Sequence, residues 1–145
     1  MLVGLGHVDL VCSDVERSLG FYDAVFGALG LQPPHEERGE RGETIYYLRF
    51  PRQGSGSIGF RQALEQQPFE LYAPGFHHLA IAAERTADVD LAYEAAVAAG
   101  AEILHAPRLW PVYHPNYYAT FFHDPDGFRI EVASSRDARL GSALP

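Results

Sequence analysis

His7-Val8-Asp9-Leu10-Val11, near the start of the chain, recurs as His78-Leu79-Ala80-Ile81-Ala82, 71 positions further on (78 − 7). The offset continues into the aromatic stretches, where Tyr46-Tyr47 falls on Tyr117-Tyr118 and Phe50 on Phe121. Near the end it slips to 72, so that Ile58-Gly59-Phe60 lies over Ile130-Glu131-Val132. A unit used twice places equivalent side chains at symmetry-related positions. Two strand-borne histidines and one carboxylate are then expected to converge on a single point, the way a protein assembles a metal site.

Working outward, residues 5–12 alternate, with Val8, Leu10 and Cys12 on one face and His7, Asp9 and Val11 on the other, which reads as a strand with one core side. Ser13-Asp14-Val15-Glu16 reads as a capping box opening a helix, with Ser13 as the cap. Val15, Leu19, Tyr22 and Phe26 recur at helical spacing until Gly27 and Gly30 end the run. Residues 32–43 read as an exposed loop with room for one short strand, and Thr44–Phe50 and Ile58–Gln62 as strands. The second copy repeats the plan after a linker at about 64–75. His78–Ala83 is a strand and Asp88–Ala99 an alanine-rich helix. Ala101–Leu104 is extended, Pro107–Pro115 is a loop, and Tyr117–Phe122 and Phe128–Ala133 are strands about the turn Asp124-Pro125-Asp126-Gly127. Residues 134–145 carry no pattern and read as a tail. Each unit alone leaves the apolar face of a small sheet uncovered, so the expectation is one domain of two paired units, module one about 5–63 and module two about 76–133, with a concave trough for function.

The 145 residues suffice for a core without metal or disulfide staples, and 47% apolar with 21% charged residues is the composition of an ordinary globule. A formal charge of −8 argues against a nucleic-acid surface. No stretch approaches the roughly 20 apolar residues of a membrane span, and the N-terminus does not read as a signal peptide. The single cysteine, Cys12, fits a reducing compartment, so the expected location is cytoplasmic, without nucleic-acid or membrane partners.

His7, His78 and Glu131 each lie on the strand face opposite its apolar residues. Two imidazoles and a carboxylate make a facial set that leaves adjacent positions open on an octahedral ion. Iron or manganese suits that set first, and zinc, nickel or cobalt also bind such donors. His114, Tyr113, Tyr117, His123 and Arg61 fall near strand ends and loops that would rim the trough. His114 is the expected proton-transfer residue, since an imidazole titrates near neutrality, and Tyr118 the second catalytic candidate. The four tyrosines at 46, 47, 117 and 118 also suit plain sheet packing. Trp110, between Leu109 and Pro111, reads either as a loop anchor or as a stacking wall for a flat ligand.

The stretches His7-Val8-Asp9-Leu10, Arg17-Ser18-Leu19-Gly20-Phe21-Tyr22, Gly75-Phe76-His77-His78-Leu79-Ala80 and Phe122-His123-Asp124-Pro125-Asp126-Gly127-Phe128-Arg129-Ile130-Glu131 resemble those of the vicinal-oxygen-chelate superfamily. That superfamily includes glyoxalase I, bleomycin-resistance proteins and extradiol dioxygenases. The resemblance covers about residues 5–133. It implies an α+β fold of two paired βαβββ modules around a cupped mixed sheet, a divalent metal, a small-molecule substrate and a homodimer. It places the metal ligands at His7, His78 and Glu131, the repeat selecting His78 over His77. The glutamate that glyoxalase I carries on the last strand of its first unit falls on Gly59. Two histidines and one glutamate resemble the iron site of extradiol dioxygenases, although the tyrosine of that pattern is replaced by Phe121. The expected activity is a metal-dependent enzyme acting on neighbouring substrate oxygens, closer to dioxygenase chemistry than to a glyoxalase-type lyase or isomerase. The alternative is a metal-free drug-binding protein.

Overall fold

A computed structural model describes Met1 and residues 4–134. The chain divides into two compact units, Met1–Pro68 and Phe69–Pro145. The first holds β1 (His7–Cys12), α1 (Val15–Phe26), β2 (His35–Arg38), β3 (Thr44–Arg49) and β4 (Ser57–Gln62). The second holds β5 (Leu79–Ala82), α2 (Thr86–Ala98), β6 (Glu102–Leu109), β7 (Tyr118–His123) and β8 (Arg129–Ser134). Both are βαβββ, so the α+β reading and its doubled unit stand. The strand orders match: β1-β4-β3-β2 and β5-β8-β7-β6. In each sheet the first strand lies parallel to the last, and the remaining pairs are antiparallel. A parallel neighbour needs a crossover, which the helix supplies.

In the first unit, Leu10 and Cys12 are buried and Val11 is exposed, as the alternation requires. Helix α1 buries Ser18, Phe21, Tyr22, Val25 and Phe26, spaced three and four apart. Tyr22 sits edge-on to Phe60 of β4 at 4.7 Å, and both are fully buried. Burying each such ring stabilises the unit by about 1.5–3 kcal/mol. The helix starts one residue later than a Ser13 cap implies. The Asp14 carboxylate accepts the Arg17 N–H at 3.0 Å, while Ser13 Oγ accepts from the Arg17 guanidinium. Gly30, at φ 98°, closes the run in the left-handed region that favours glycine.

The second unit packs small residues where the first packs aromatics. Val89, Ala92 and Ala96 of α2 are fully buried. Asp88 holds the helix start by accepting the Arg85 N–H at 3.1 Å. The inter-unit stretch is not idle, because Phe69 and Phe76 both pack on Phe128 at 5.0 and 5.3 Å. Strand β6 runs to Leu109, straight through the expected loop start at Pro107. It is the edge strand of its sheet, and its pairing with β7 shifts register between His105 and Arg108, so the proline's missing N–H breaks no ladder bond. Ser134 belongs to β8 and is buried, and the rest of the expected tail lies outside the described residues.

The strand registers correct the repeat at one place. Asp9, Gly59 and Tyr47 form one row across the first sheet, and Ala80, Glu131 and Phe121 the equivalent row in the second. Gly59 and Glu131 are therefore true counterparts. The counterpart of Tyr47 is Phe121, 74 positions on (121 − 47), not Tyr118. An odd slip of three residues reverses which face a side chain occupies. Tyr118 accordingly faces α2, where its hydroxyl donates to Asp90 at 2.8 Å. Burial, then the Asp90 bond, raises the Tyr118 pKa above its usual 10. A raised folded-state pKa contributes stability that is complete below the unfolded value and disappears as pH climbs through the folded one. Stability should fall as pH rises past the ordinary tyrosine value of about 10, and by less in Tyr118→Phe; urea midpoints on either side of that value measure both, and equal declines would mean that Tyr118 carries no raised pKa.

Candidate functional site

The open face of the second sheet, opposite α2, gathers the chemistry. Glu131 stands at the middle of β8 between Ala80 and Phe121, and is only 4% exposed. A carboxylate buried that deeply needs partners for both oxygens. His78, one residue before β5 and on the same face as Ala80, brings Nε2 to 3.0 Å from Glu131 Oε2. Tyr117, one residue before β7, donates its hydroxyl to Glu131 Oε1 at 2.7 Å. Burial first, and the bond to Glu131 second, hold the Tyr117 hydroxyl in its protonated form well above the usual tyrosine range. His78 Nδ1 faces His77 Nδ1 at 2.8 Å. The ionised carboxylate only accepts, so His78 donates through Nε2 and, when neutral, accepts from His77 through Nδ1.

Beyond Tyr117, the β6–β7 hairpin is tied by Trp110 N–H to Tyr117 O at 2.7 Å and Tyr117 N–H to His114 O at 3.0 Å. His114 Nδ1 accepts from the Asn116 N–H at 3.2 Å, so its neutral ring carries the proton on Nε2. Trp110 packs edge-on against Phe121 and His105. His123 is occupied elsewhere, 3.0 Å from Glu102.

The equivalent row of the first sheet is built differently. A side chain at position 59 would collide with Asp9 Oδ1 and come within 2.7 Å of the Tyr47 ring. The space is thus filled by a carboxylate from the neighbouring strand. Asp9 Oδ2 accepts from Arg61 Nε at 2.8 Å and from Tyr47 Oη at 3.3 Å, while Oδ1 is buried without a hydrogen-bond partner among the described residues. Arg61 also reaches Glu40 and Glu43, at 3.0 and 2.8 Å, and the bond to Asp9 first, then that to Glu40, raises its pKa. His7 is more than half exposed, edge-on to Tyr47, and its Nε2 lies 4.0 Å from Asp9 Oδ1.

Of the three expected ligands, the second unit brings His78 and Glu131 together, and His7 belongs to the first unit. Among the described residues, no group of three or more His, Cys, Asp or Glu side chains is set to hold a metal ion. Of the two expected catalytic residues, His114 lies in the hairpin beside the aromatic cluster, and Tyr118 is engaged by Asp90. Sequence reasoning passed over Tyr117 as Glu131's partner and Asp9 as the occupant of Gly59's space. The signal for Tyr117 was present. Counting outward from the Asp124–Gly127 turn pairs His123 with Arg129 and Phe121 with Glu131, which puts Tyr117 on the carboxylate's face.

Residues 4–132 match the model of the Glyoxalase/Bleomycin resistance protein/Dioxygenase superfamily, and the chain belongs to it. Its fold is similar to that of a glyoxylase/bleomycin resistance protein/dioxygenase domain from Frankia sp. EAN1pec, at 24% identity and a TM-score of 0.78, covering 95% of this chain and 96% of the other. A glyoxalase/bleomycin resistance protein from Albidiferax ferrireducens T118 is similar at 23% identity and TM-score 0.71, with 90% and 98% covered. A fosfomycin resistance protein from Listeria monocytogenes is similar at 18% identity and TM-score 0.64, with 93% and 95% covered. No curated protein matches the sequence. Among the described residues, no helix is long and apolar enough to cross a membrane.

Gly59→Ala should force Asp9 or Tyr47 aside and destabilise the chain by about 1–3 kcal/mol, the usual cost of overpacking. Denaturant unfolding reads this as a lower midpoint, and an unchanged midpoint would mean that Asp9 does not fill the space.

Proposed function

We propose that this chain is a metal-dependent enzyme acting on a small substrate with two neighbouring oxygens. In this reading the ion is held by His78 and Glu131, with His7 as the third donor from the same chain or from a second copy in a homodimer. The observation that supports it is the His78 Nε2–Glu131 Oε2 separation of 3.0 Å. An imidazole nitrogen and a carboxylate oxygen brought together in this way are the donor types that would hold a first-row divalent ion. Iron or manganese suits these donors best. Such an ion supplies a Lewis acid for the two substrate oxygens and, as iron(II), a means of activating dioxygen.

The chain's own residues then divide the work. Tyr117 fixes the orientation of Glu131 through Oε1 and leaves Oε2 available. His78 would hold the ion through Nε2, and His77, 2.8 Å from its Nδ1, would fix the orientation of the ring. His114 is the proposed proton-transfer residue, its Nδ1 held by the Asn116 N–H and its Nε2 the exchanging atom. We assign the tyrosine role to Tyr117, since the Tyr118 hydroxyl is engaged by Asp90. The oxygenase reading is favoured over the glyoxalase-type isomerase because position 59 carries no side chain and the Asp9 carboxylate beside it is held by Arg61 and Tyr47.

One observation favours a second reading, a metal-free binding protein. Both oxygens of Glu131 are satisfied by His78 and Tyr117 with no cation needed. Elemental analysis of the purified protein separates the two. The enzyme reading expects about one transition-metal ion per chain, lost in Glu131→Ala and His78→Ala. It expects Tyr117→Phe to weaken metal affinity by about 10- to 100-fold, as removal of a hydrogen bond to a ligand does. Metal-free protein that takes up none of these ions on titration would leave the binding protein.

A further inference from the structure

We infer that the open face of the second sheet beside Glu131 seats a small planar aromatic acid, its ring on Trp110 and Tyr113 and its acid group on Arg108. This rests on the reading above in taking that face as the site, but not on the ion.

Trp110 is held in place before any ligand arrives. Its Nε1–H donates to Ala119 O at 3.2 Å, and its ring is wedged edge-on against Phe121 at 5.2 Å and His105 at 5.0 Å. Tyr113 lies near-parallel to it at 6.3 Å and meets Tyr117 edge-on at 5.5 Å. The aromatic series therefore leads from the hairpin directly to the hydroxyl that touches Glu131. Anchoring the loop explains a half-buried tryptophan, but not Tyr113, which is 66% exposed beside it. Rigid aromatic surface left open to water binds flat ligands at little entropic cost.

Arg108 sets the charge. Its guanidinium carbon lies 3.9 Å over the Trp110 ring. Strand pairing with Ala119 places it on the face that carries Trp110 and Glu131. It is exposed, and no carboxylate pairs with it among the described residues, on a chain whose net charge is −8. The fork of a guanidinium matches a carboxylate with two parallel hydrogen bonds. A neutral aliphatic ligand would use neither the rings nor the charge.

Trp110 is the chain's single tryptophan, so its fluorescence reports this face alone. The probes are 3,4-dihydroxybenzoate, its methyl ester and lactate, with isothermal titration calorimetry in parallel. Dihydroxybenzoate should quench saturably and bind at least about tenfold more tightly than the ester, the effect of one charge-assisted hydrogen-bonded pair. Lactate should not bind. Arg108→Gln should remove the preference for the acid, Arg108→Lys should keep part of it, and Tyr113→Ala should weaken acid and ester together. Equal affinity for acid and ester, no saturable binding, or a preference that survives in Arg108→Gln would overturn the inference. The same titrations on chelator-treated protein keep the two proposals apart. If the protein takes up no metal yet binds the acid, this inference stands and the enzyme reading falls. If it loads metal through His78 and Glu131 yet ignores the acid, this inference falls.

Discussion

A carboxylate buried at the centre of a sheet face has to be answered, and the two halves of this chain answer it differently. In the second, Glu131 projects from the closing strand and is met by an imidazole and a phenol. In the first, the carboxylate has moved to the opening strand as Asp9 and is met by a guanidinium and a phenol. Leaving Glu131 unpaired at that depth would cost several kcal/mol, and the half-buried Asp9 less. The identities of residues 61, 47, 78 and 117 follow from that requirement more than from strand propensity. The choice of partner also separates the roles. Arginine does not give up its proton, so the partner Asp9 faces cannot be exchanged for a cation. A histidine can exchange its proton for a metal, which is what the proposed function asks of His78 beside Glu131.

Much of this was legible in the sequence because it rests on period-two alternation and on a doubled pattern. The strand faces of residues 7–12, the helix over Val15–Phe26 and the equivalence of Gly59 with Glu131 all follow from spacing alone. What failed was register across an insertion. The second unit carries three more residues than the first before its third strand, since β6 is eight residues long and irregular where β2 is four. Local similarity of Tyr46-Tyr47 to Tyr117-Tyr118 concealed that slip, because matching aromatic pairs look alike at any offset. The turn at Asp124–Gly127 was the better ruler, since a hairpin's register is set by its turn.

Pro107 was misleading for a related reason. A proline ends a central strand but is harmless on an edge strand, and whether a strand is an edge depends on the order in which the sheet is assembled. Nothing within residues 101–109 carries that information. It comes from the crossover that places β5 beside β8 and so leaves β6 outermost. The identity of the helix cap was likewise decided by competition. Ser13 and Asp14 are both good caps, and Arg17 occupies the serine oxygen with its guanidinium while giving its N–H to the aspartate.

The glycine at 59 is therefore not a ligand position left vacant. In a repeat read by residue type, Gly59 looks like a glutamate that has been lost and that one substitution would restore. In the folded unit, Asp9 Oδ1 and the Tyr47 ring already occupy the room a side chain would need. A glutamate introduced there alone would meet a second carboxylate, with like charges in contact and a single arginine between them, and overpacking would add to the repulsion. Positions 9 and 59 are coupled, so a change at one has a sign that depends on the other. Reducing residue 9 without enlarging residue 59 takes from Arg61 the partner at its Nε, leaving Glu40 and Glu43 on Nη1, and the reverse crowds the row. The two halves therefore differ at this row as a pair, Asp9 with Gly59 in the first and Ala80 with Glu131 in the second.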